Sequence, residues 1–178
     1  MNVKTLLTQY SLGERDFSNA ELSNADLTKA KLSGINLIRA DLSRAIMSNI
    51  NLNGAFLVLA NLQEADLTGA MAIATNFSGT NLQNANLDHS KLMEAILTGA
   101  WLQKANLTSA NLTGAILAGA NLVEANLQQA DLRGANLYGA DLRKADLRDA
   151  IITHANLRGA DLRGAIMPEI LLKSGAKS

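Results

Sequence analysis

Residues able to carry out catalysis are scarce in this chain of 178 residues. It contains no cysteine, so it offers neither a thiolate nucleophile nor a thiolate metal ligand. Its two histidines, His89 and His154, both fall where the sequence predicts a surface turn. A nucleophile would have to come from many similar serine and threonine hydroxyls. We therefore expect no enzyme, no metal site and no cofactor.

Charged residues near the C-terminus follow a regular pairing. Aspartate and arginine recur two residues apart, at Asp131/Arg133, Asp141/Arg143, Asp146/Arg148 and Asp161/Arg163. Residues at this spacing share one face of a strand, so each aspartate is expected to neutralise its arginine. The whole chain has 16 basic and 16 acidic residues. This balance favours a ladder of surface ion pairs over a nucleic-acid-binding patch.

These pairs belong to a five-residue repeat that covers most of the chain. From Phe17 to Met167 every fifth residue is apolar, which gives 31 repeat centres in one phase. Leucine fills 25 centres, and alanine fills 25 of the positions two residues earlier. The residue between them is most often Asn or Asp, as in Ala125-Asn126-Leu127. Because a period of five fits neither an α-helix nor a long strand, the chain must turn after each short extended segment.

Each repeat has an expected inside, outside and corner. Alanine and the centre point inward, so the residue between them points outward. Of the 13 glycines, 11 lie two residues after a centre, where a corner with positive φ would select glycine.

The repeats resemble those of the pentapeptide-repeat family, over residues 15–167. The resemblance implies an all-β fold, a right-handed quadrilateral parallel β-helix with four repeats per coil and about eight coils. Residues twenty apart would then stack on one wall. The segment Gly13-Glu14-Arg15-Asp16-Phe17 and the residues before it also resemble the N-terminal cap of cyanobacterial members of the family.

The ends of such a solenoid need caps because they expose strand edges. Val3, Leu6, Leu7 and Tyr10 form an apolar stripe at helical spacing, and Gly13 follows them. We therefore predict a helical cap over residues 1–14, the repeat domain over 15–167, and a C-terminal cap or tail over 168–178. Within this last segment, residues 170–172 fit a short cap or a dimer contact equally.

The composition predicts a cytoplasmic protein. No apolar run approaches the ~18 residues of a transmembrane helix, and the N-terminus lacks the layout of a secretory signal. We expect neither a membrane nor a nucleic acid as a partner.

One predicted wall carries many apolar residues on its outside. The candidate protein-binding surface consists of Ile38, Phe56, Val58, Leu59, Ile96, Ile116 and Tyr138 on this wall, with Trp101 on the following wall. Contiguous exposed apolar area usually marks a binding surface, although β-branched and aromatic residues also suit strand surfaces in general. Phe56, Ile96, Trp101 and Tyr138 are the expected anchors because large side chains dominate binding energy.

These observations predict a non-enzymatic protein–protein interaction scaffold whose partner the sequence does not identify. Some cyanobacterial members of the resembled family regulate heterocyst differentiation through protein contacts, which implies a regulatory role. Other members imitate DNA and bind DNA gyrase or other type II topoisomerases, but that mechanism needs a negatively charged rod and this chain has zero net charge. A third alternative is a purely structural or self-associating rod, which includes a homodimer.

Overall fold

A computed structural model describes residues 1–169, and most of them form a β-helix solenoid. The residue before each repeat centre forms a single parallel β-bridge with the residue twenty positions later, from Asp16–Asn36 to Asp146–Ile166. Twenty residues are four repeats, so each coil takes four repeats and each wall holds every fourth one. Strand character is limited to one bridging residue per repeat, because a turn follows immediately.

We number the walls by the first centre on each: Phe17 opens wall 1, Leu22 wall 2, Leu27 wall 3 and Leu32 wall 4. A corner takes the numbers of the two walls that it joins. Coil 1 spans residues 15–34, each later coil adds twenty residues, and coil 8 begins at residue 155. The bridges of Met71 to Asn51 and Lys91 keep the same register, so the walls run unbroken along the rod.

Backbone hydrogen bonds link the coils and close the corners. In the first repeat, the amides of Phe17 and Asn19 donate to carbonyls of coil 2, both at 2.8 Å. The amide of Ala20 donates to the carbonyl of Phe17 at 3.2 Å and closes a turn. The third residue of each turn has positive φ at every corner from Asn19 to Gly164, whether or not it is glycine. This arrangement, with positive φ at the third turn residue and not at the second, is that of a type II turn.

The core is one continuous column of leucine and alanine side chains. Centres such as Leu57 and Leu112 are fully buried, and so are the alanines two residues before them. The smallest centre, Ala72, directly precedes Phe77, the largest fully buried side chain. The large Phe77 side chain fills part of the volume that the small Ala72 leaves, as a closely packed interior requires.

The helix α1 covers the first coil and spans Val3–Ser11. Asn2 caps it by accepting a hydrogen bond from the Thr5 amide at 2.8 Å. Leu6 is fully buried, while Leu7 of the predicted stripe is exposed because only one face of the helix touches the coil. The Tyr10 hydroxyl donates to the carbonyl of Ser33 at 2.8 Å and ties α1 to coil 1.

No helix within residues 1–169 is long and apolar enough to cross a membrane. The predicted cap or dimer contact at residues 170–172 lies outside the described residues.

Candidate protein-binding surface

The residue before each centre controls both the polarity of a wall and one backbone hydrogen bond. In all 20 repeats with Asn or Asp at this position, its side-chain oxygen accepts a hydrogen bond from the amide two residues later. The other four amides of an interior repeat already donate to backbone carbonyls. The consensus Asn or Asp therefore supplies the acceptor for the one amide of the repeat that has no backbone acceptor. This role was absent from the sequence prediction, although the regular Asn or Asp before each centre was the signal for it.

Apolar residues at the same position give up this hydrogen bond. Eight repeats have an apolar residue in place of Asn or Asp: Ile46, Phe56, Met71, Ile96, Trp101, Ile116, Ile151 and Ile166. After Phe56, Ile96 and Ile116, the amides of Val58, Thr98 and Ala118 find no hydrogen-bond partner within residues 1–169. An intramolecular hydrogen bond is worth about 0.5–1.5 kcal/mol, so the solenoid alone would favour Asn or Asp there.

Seven of the eight candidate surface residues lie on wall 1 or its corner. Bridges join Phe56 to Asn76, Asn76 to Ile96 and Ile96 to Ile116, so these residues form one ladder along the rod. Phe56, Leu59, Ile116 and Tyr138 are 38–54% exposed, and Ile38, Val58 and Ile96 are half-buried. Trp101 is 54% exposed but lies on wall 2.

Wall 1 carries no charged side chain from coil 3 to coil 7. Its outward residues there are apolar or small and neutral, with Asn76, Ser78, Thr98 and Asn136 as the polar members. Charged residues are frequent on the other walls over the same coils. Wall 1 is therefore a continuous neutral strip.

Glycine is concentrated at the two corners that border wall 1. Nine of the 11 corner glycines lie there, at Gly34, Gly54, Gly79, Gly99, Gly114, Gly119, Gly134, Gly139 and Gly159. Corner 2–3 instead carries long side chains such as Glu64, Lys104 and Lys144, at similar positive φ values. At Gly79 a Cβ would lie 2.8 Å from Leu59 Cδ2, the end of an exposed side chain that can move away. At Gly99 and Gly119 a Cβ would meet nothing within 4 Å, so packing does not require glycine. These corners leave wall 1 open on both sides.

Three exposed isoleucines lie away from wall 1 and were missing from the sequence prediction. Ile46 and Ile166 are on wall 3, and Ile151 is on wall 4, each 46–48% exposed. They occupy the same position before a centre as Phe56 and Ile96, so the repeat phase could have found them. They are dispersed over two walls and do not extend the wall 1 strip.

The predicted Asp/Arg pairs form. Arg133, Arg143, Arg148 and Arg163 contact the aspartate two residues earlier, with closest distances of 2.5–2.7 Å. The hydrogen bonds from the Arg148 guanidinium lower the pKa of Asp146 from 3.8 to about 2. Those from Arg163 lower the pKa of Asp161 to about 2. Each pair presents a neutralised charge to the solvent.

The histidines are corner residues on different corners. His89 and His154 have φ of 55° and 60°. Ser90 follows His89 in sequence, but its side chain is buried in the alanine position of the next repeat. No group of His, Asp or Glu within residues 1–169 is arranged to hold a metal ion.

Comparison with known proteins agrees with this architecture. The family model for pentapeptide repeats, in eight copies, matches residues 16–58, 60–99, 97–129 and 130–167. HetL, a pentapeptide repeat protein involved in heterocyst differentiation regulation from the cyanobacterium Nostoc sp. strain PCC 7120, is 34% identical. That match covers 95% of this chain and 98% of HetL, with a TM-score of 0.53.

A second solved structure shares the fold at lower identity. Full-length QnrB1, a plasmid-mediated fluoroquinolone resistance protein, is 20% identical over 90% of each chain, with a TM-score of 0.67. A search of curated protein sequences finds no match. Because the repeat model covers nearly all of coils 1–8, the predicted family is confirmed, and this chain belongs to the pentapeptide-repeat family.

Proposed function

We propose that this protein is a non-enzymatic protein–protein interaction scaffold, built on a right-handed four-sided β-helix, with wall 1 as its binding surface. Three features coincide on that wall: apolar residues that give up a backbone hydrogen bond, a neutral strip over five coils, and bordering corners rich in glycine. This coincidence carries the proposal, because interface cores are depleted of charge and need close approach of the partner.

General strand propensity does not explain the distribution of these residues. Propensity would spread β-branched and aromatic residues over all four walls. Wall 1 and its corner hold seven large outward apolar residues, whereas wall 2 holds Trp101 and Val123 and wall 3 holds Ile46 and Ile166. Wall 4 holds an intermediate number, with Met71, Ile73 and Met93 next to wall 1 in coils 3 and 4.

A regulatory role is the more specific form of the proposal. Its support is the 34% identity, over nearly the full length of both chains, to HetL, which is involved in heterocyst differentiation regulation. We further propose a cytoplasmic location, which rests on the sequence prediction alone.

The DNA-mimic alternative has weaker support. A mimic of DNA needs unpaired negative charge along the rod. Here Asp131, Asp141, Asp146 and Asp161 are each neutralised by an arginine on the same wall. The likeness to QnrB1, at 20% identity, speaks for the fold alone. A supercoiling assay with purified gyrase tests this alternative, and inhibition at micromolar protein would revive it.

The proposal is tested by replacing three wall 1 residues with the consensus residue. The variant Phe56→Asn/Ile96→Asn/Ile116→Asn removes apolar surface while offering the hydrogen bond that Asn makes elsewhere in the fold. The matched control is Ile46→Asn/Ile151→Asn/Ile166→Asn, which makes the same exchange off the wall.

The readout is quantitative capture of partners from native lysate by the three forms of the protein. We expect the control to capture the same proteins as the native chain and the wall 1 variant to lose at least one. Identical capture by all three forms would refute wall 1 as the binding surface.

A further inference from the structure

We infer that the segment that docks on wall 1 is an amphipathic α-helix with an acidic residue near each end, held by Arg39 and Arg158. The inference rests on the proposed function and adds to it the chemistry of the partner.

Arg39 and Arg158 differ from the other arginines of the chain. Arg15 stacks on the Tyr10 ring, 3.9 Å from its centroid, and Arg44 pairs with Glu64 at 3.4 Å. The four arginines of the Asp/Arg pairs are neutralised as described above. The side chains of Arg39 and Arg158 make no hydrogen bond or ion pair within residues 1–169. They are the two arginines of the eight without a partner there.

These two arginines mark the ends of the neutral strip. Arg39 lies at corner 1–2 in coil 2, and Arg158 is an outward residue of wall 1 in coil 8. Six coils separate them, which is about 29 Å at a spacing of about 4.8 Å per coil. Between them wall 1 carries no charge, and its two corners carry a single acidic residue, Glu94. The surface is thus an apolar strip with a free cation at each end.

The backbone of wall 1 favours a helix over an extended strand as the occupant. A peptide strand binds by adding to a free sheet edge. The carbonyls and amides along wall 1 are instead used between coils, apart from isolated amides such as that of Thr98. An extended segment would therefore leave its own amides unpaired against apolar side chains, whereas a helix satisfies them internally.

The dimensions also fit a helix. A helix has a diameter of about 10–12 Å, and one wall, three to four residues wide, is about 10–13 Å across. At a rise of 1.5 Å per residue, the ~29 Å between the two arginines corresponds to about 19 helical residues. Carboxylates at that separation can each form charge-assisted hydrogen bonds with one guanidinium.

A second copy of the chain fits this surface poorly. In an antiparallel pairing through wall 1, Arg39 of one copy would face Arg158 of the other, and a parallel pairing would place identical arginines together. Either arrangement brings like charges into contact at both ends of the interface.

Two synthetic peptides serve as probes. Both are helical and share one leucine stripe; one has Glu near each end, about 19 residues apart, and the other has Lys at the same two positions. Binding to the full chain is measured by fluorescence anisotropy at low and high salt. We expect the Glu peptide to bind at least ~10-fold more tightly at low salt, with a smaller preference at high salt.

Charge reversal provides the decisive variants. Arg39→Glu/Arg158→Glu should transfer the preference to the Lys peptide, and it leaves the fold intact because neither side chain has a partner in the described chain. The control Lys31→Glu/Lys91→Glu makes the same change in net charge at two exposed wall 4 residues. It should keep the preference for the Glu peptide.

The inference would be overturned if neither peptide bound or if both bound equally. It would also be overturned if the lysine control changed its preference between the two peptides as much as the arginine variant does. A dimer that dissociates in the wall 1 asparagine variant would overturn it too, because the occupant would then be a second copy. If that variant loses a lysate partner while the intact chain shows no preference for the Glu peptide, the helix inference fails and the docking surface stands. If the variant loses no partner, the proposed function itself fails.

Discussion

Asn126 accepts a hydrogen bond through Oδ1 from the backbone amide of Gln128, two residues later, at 3.0 Å. This amide makes no backbone hydrogen bond, so the side chain supplies the acceptor that the fold does not. The same relationship recurs at each Asn or Asp before a centre, as in Asp16 and Ser18 at 3.0 Å. The residue that looks like a solvated surface position is therefore part of the backbone network.

Exchanging residues at this position should change stability in opposite directions. Ile116→Asn adds the missing acceptor for the Ala118 amide and should raise the free energy of unfolding by up to about 1 kcal/mol. Asn126→Ile removes an acceptor and should lower it by about 0.5–1.5 kcal/mol. Denaturant unfolding of both variants provides the measurement. If both variants changed the free energy of unfolding in the same direction and by the same amount, side-chain packing, and not the hydrogen bond of the amide, would control stability at this position.

Two buried hydroxyls in the alanine positions should also behave oppositely. Thr80 donates to the carbonyl of Leu57 at 2.6 Å, whereas the buried Ser90 hydroxyl has no partner in the described chain. Thr80→Val should therefore destabilise the protein by about 0.5–1.5 kcal/mol. Ser90→Ala should stabilise it by about 1 kcal/mol, since it removes an unpaired buried polar group.

These two variants are compared by their unfolding midpoints in the same denaturant. A loss of stability in Ser90→Ala would show that the serine hydroxyl has a partner in solution. No change in Thr80→Val would show that the Ala60 amide, which donates to the same Leu57 carbonyl at 3.0 Å, suffices for that oxygen.

Side chains added at the corners of wall 1 should block binding without unfolding the rod. Gly99→Lys/Gly119→Lys places two long side chains beside Ile96 and Ile116, where a Cβ meets nothing within 4 Å. Each lysine lowers the free energy of unfolding by roughly 1–2 kcal/mol relative to glycine, because it must adopt a positive φ. We expect the Glu peptide to bind at least ~10-fold more weakly, by anisotropy.

The matched control for the corner variant is Ser109→Lys/Gln129→Lys. These residues have φ of 53° and 59° and occupy corner 3–4 in the same two coils. The control should bind the peptide as tightly as the native chain does. Equal weakening in both variants would point to the added lysine charge as the cause.

The ion pairs predict a loss of stability in acid. The pKa of Asp146 is about 2 in the folded protein, below the usual 3.8, because Arg148 donates hydrogen bonds to the carboxylate. A lowered folded-state pKa stabilises the protein above the usual pKa, and this contribution disappears as the pH falls through about 2. Stability should therefore decline from about pH 5 to about pH 2.

Substitution of the arginine isolates this effect. In Arg148→Gln the pKa of Asp146 should rise from about 2 towards 3.8, measured by NMR titration of the side-chain carboxyl carbon. Stability of this variant should also depend less steeply on pH between 5 and 2. An unchanged pKa would assign the shift to the backbone amide of residue 148 or to Gln128.

The sequence predicted the features that depend on its period. In a regular five-residue pattern, Leu57 and Ala55 must both point inward. The equivalent residues do the same in every coil. Hence the family, the solenoid, the buried residues and the outward Asp146/Arg148 pairing could be read directly. Local turn chemistry explains the glycines in general, although it gives no reason for their position around the rod.

Other features depend on which residues of different coils meet, a register that the family resemblance implied and the bridges of the structure established. Stacking of residues twenty apart groups glycines from separate coils into the two corners of wall 1. It also places Arg39 and Arg158, distant in sequence, at the two ends of one neutral strip. The role of Asn126 required a complete account of the amides of each repeat. A local period fixes where one side chain points, whereas a surface is formed by side chains that only the winding of the chain brings together.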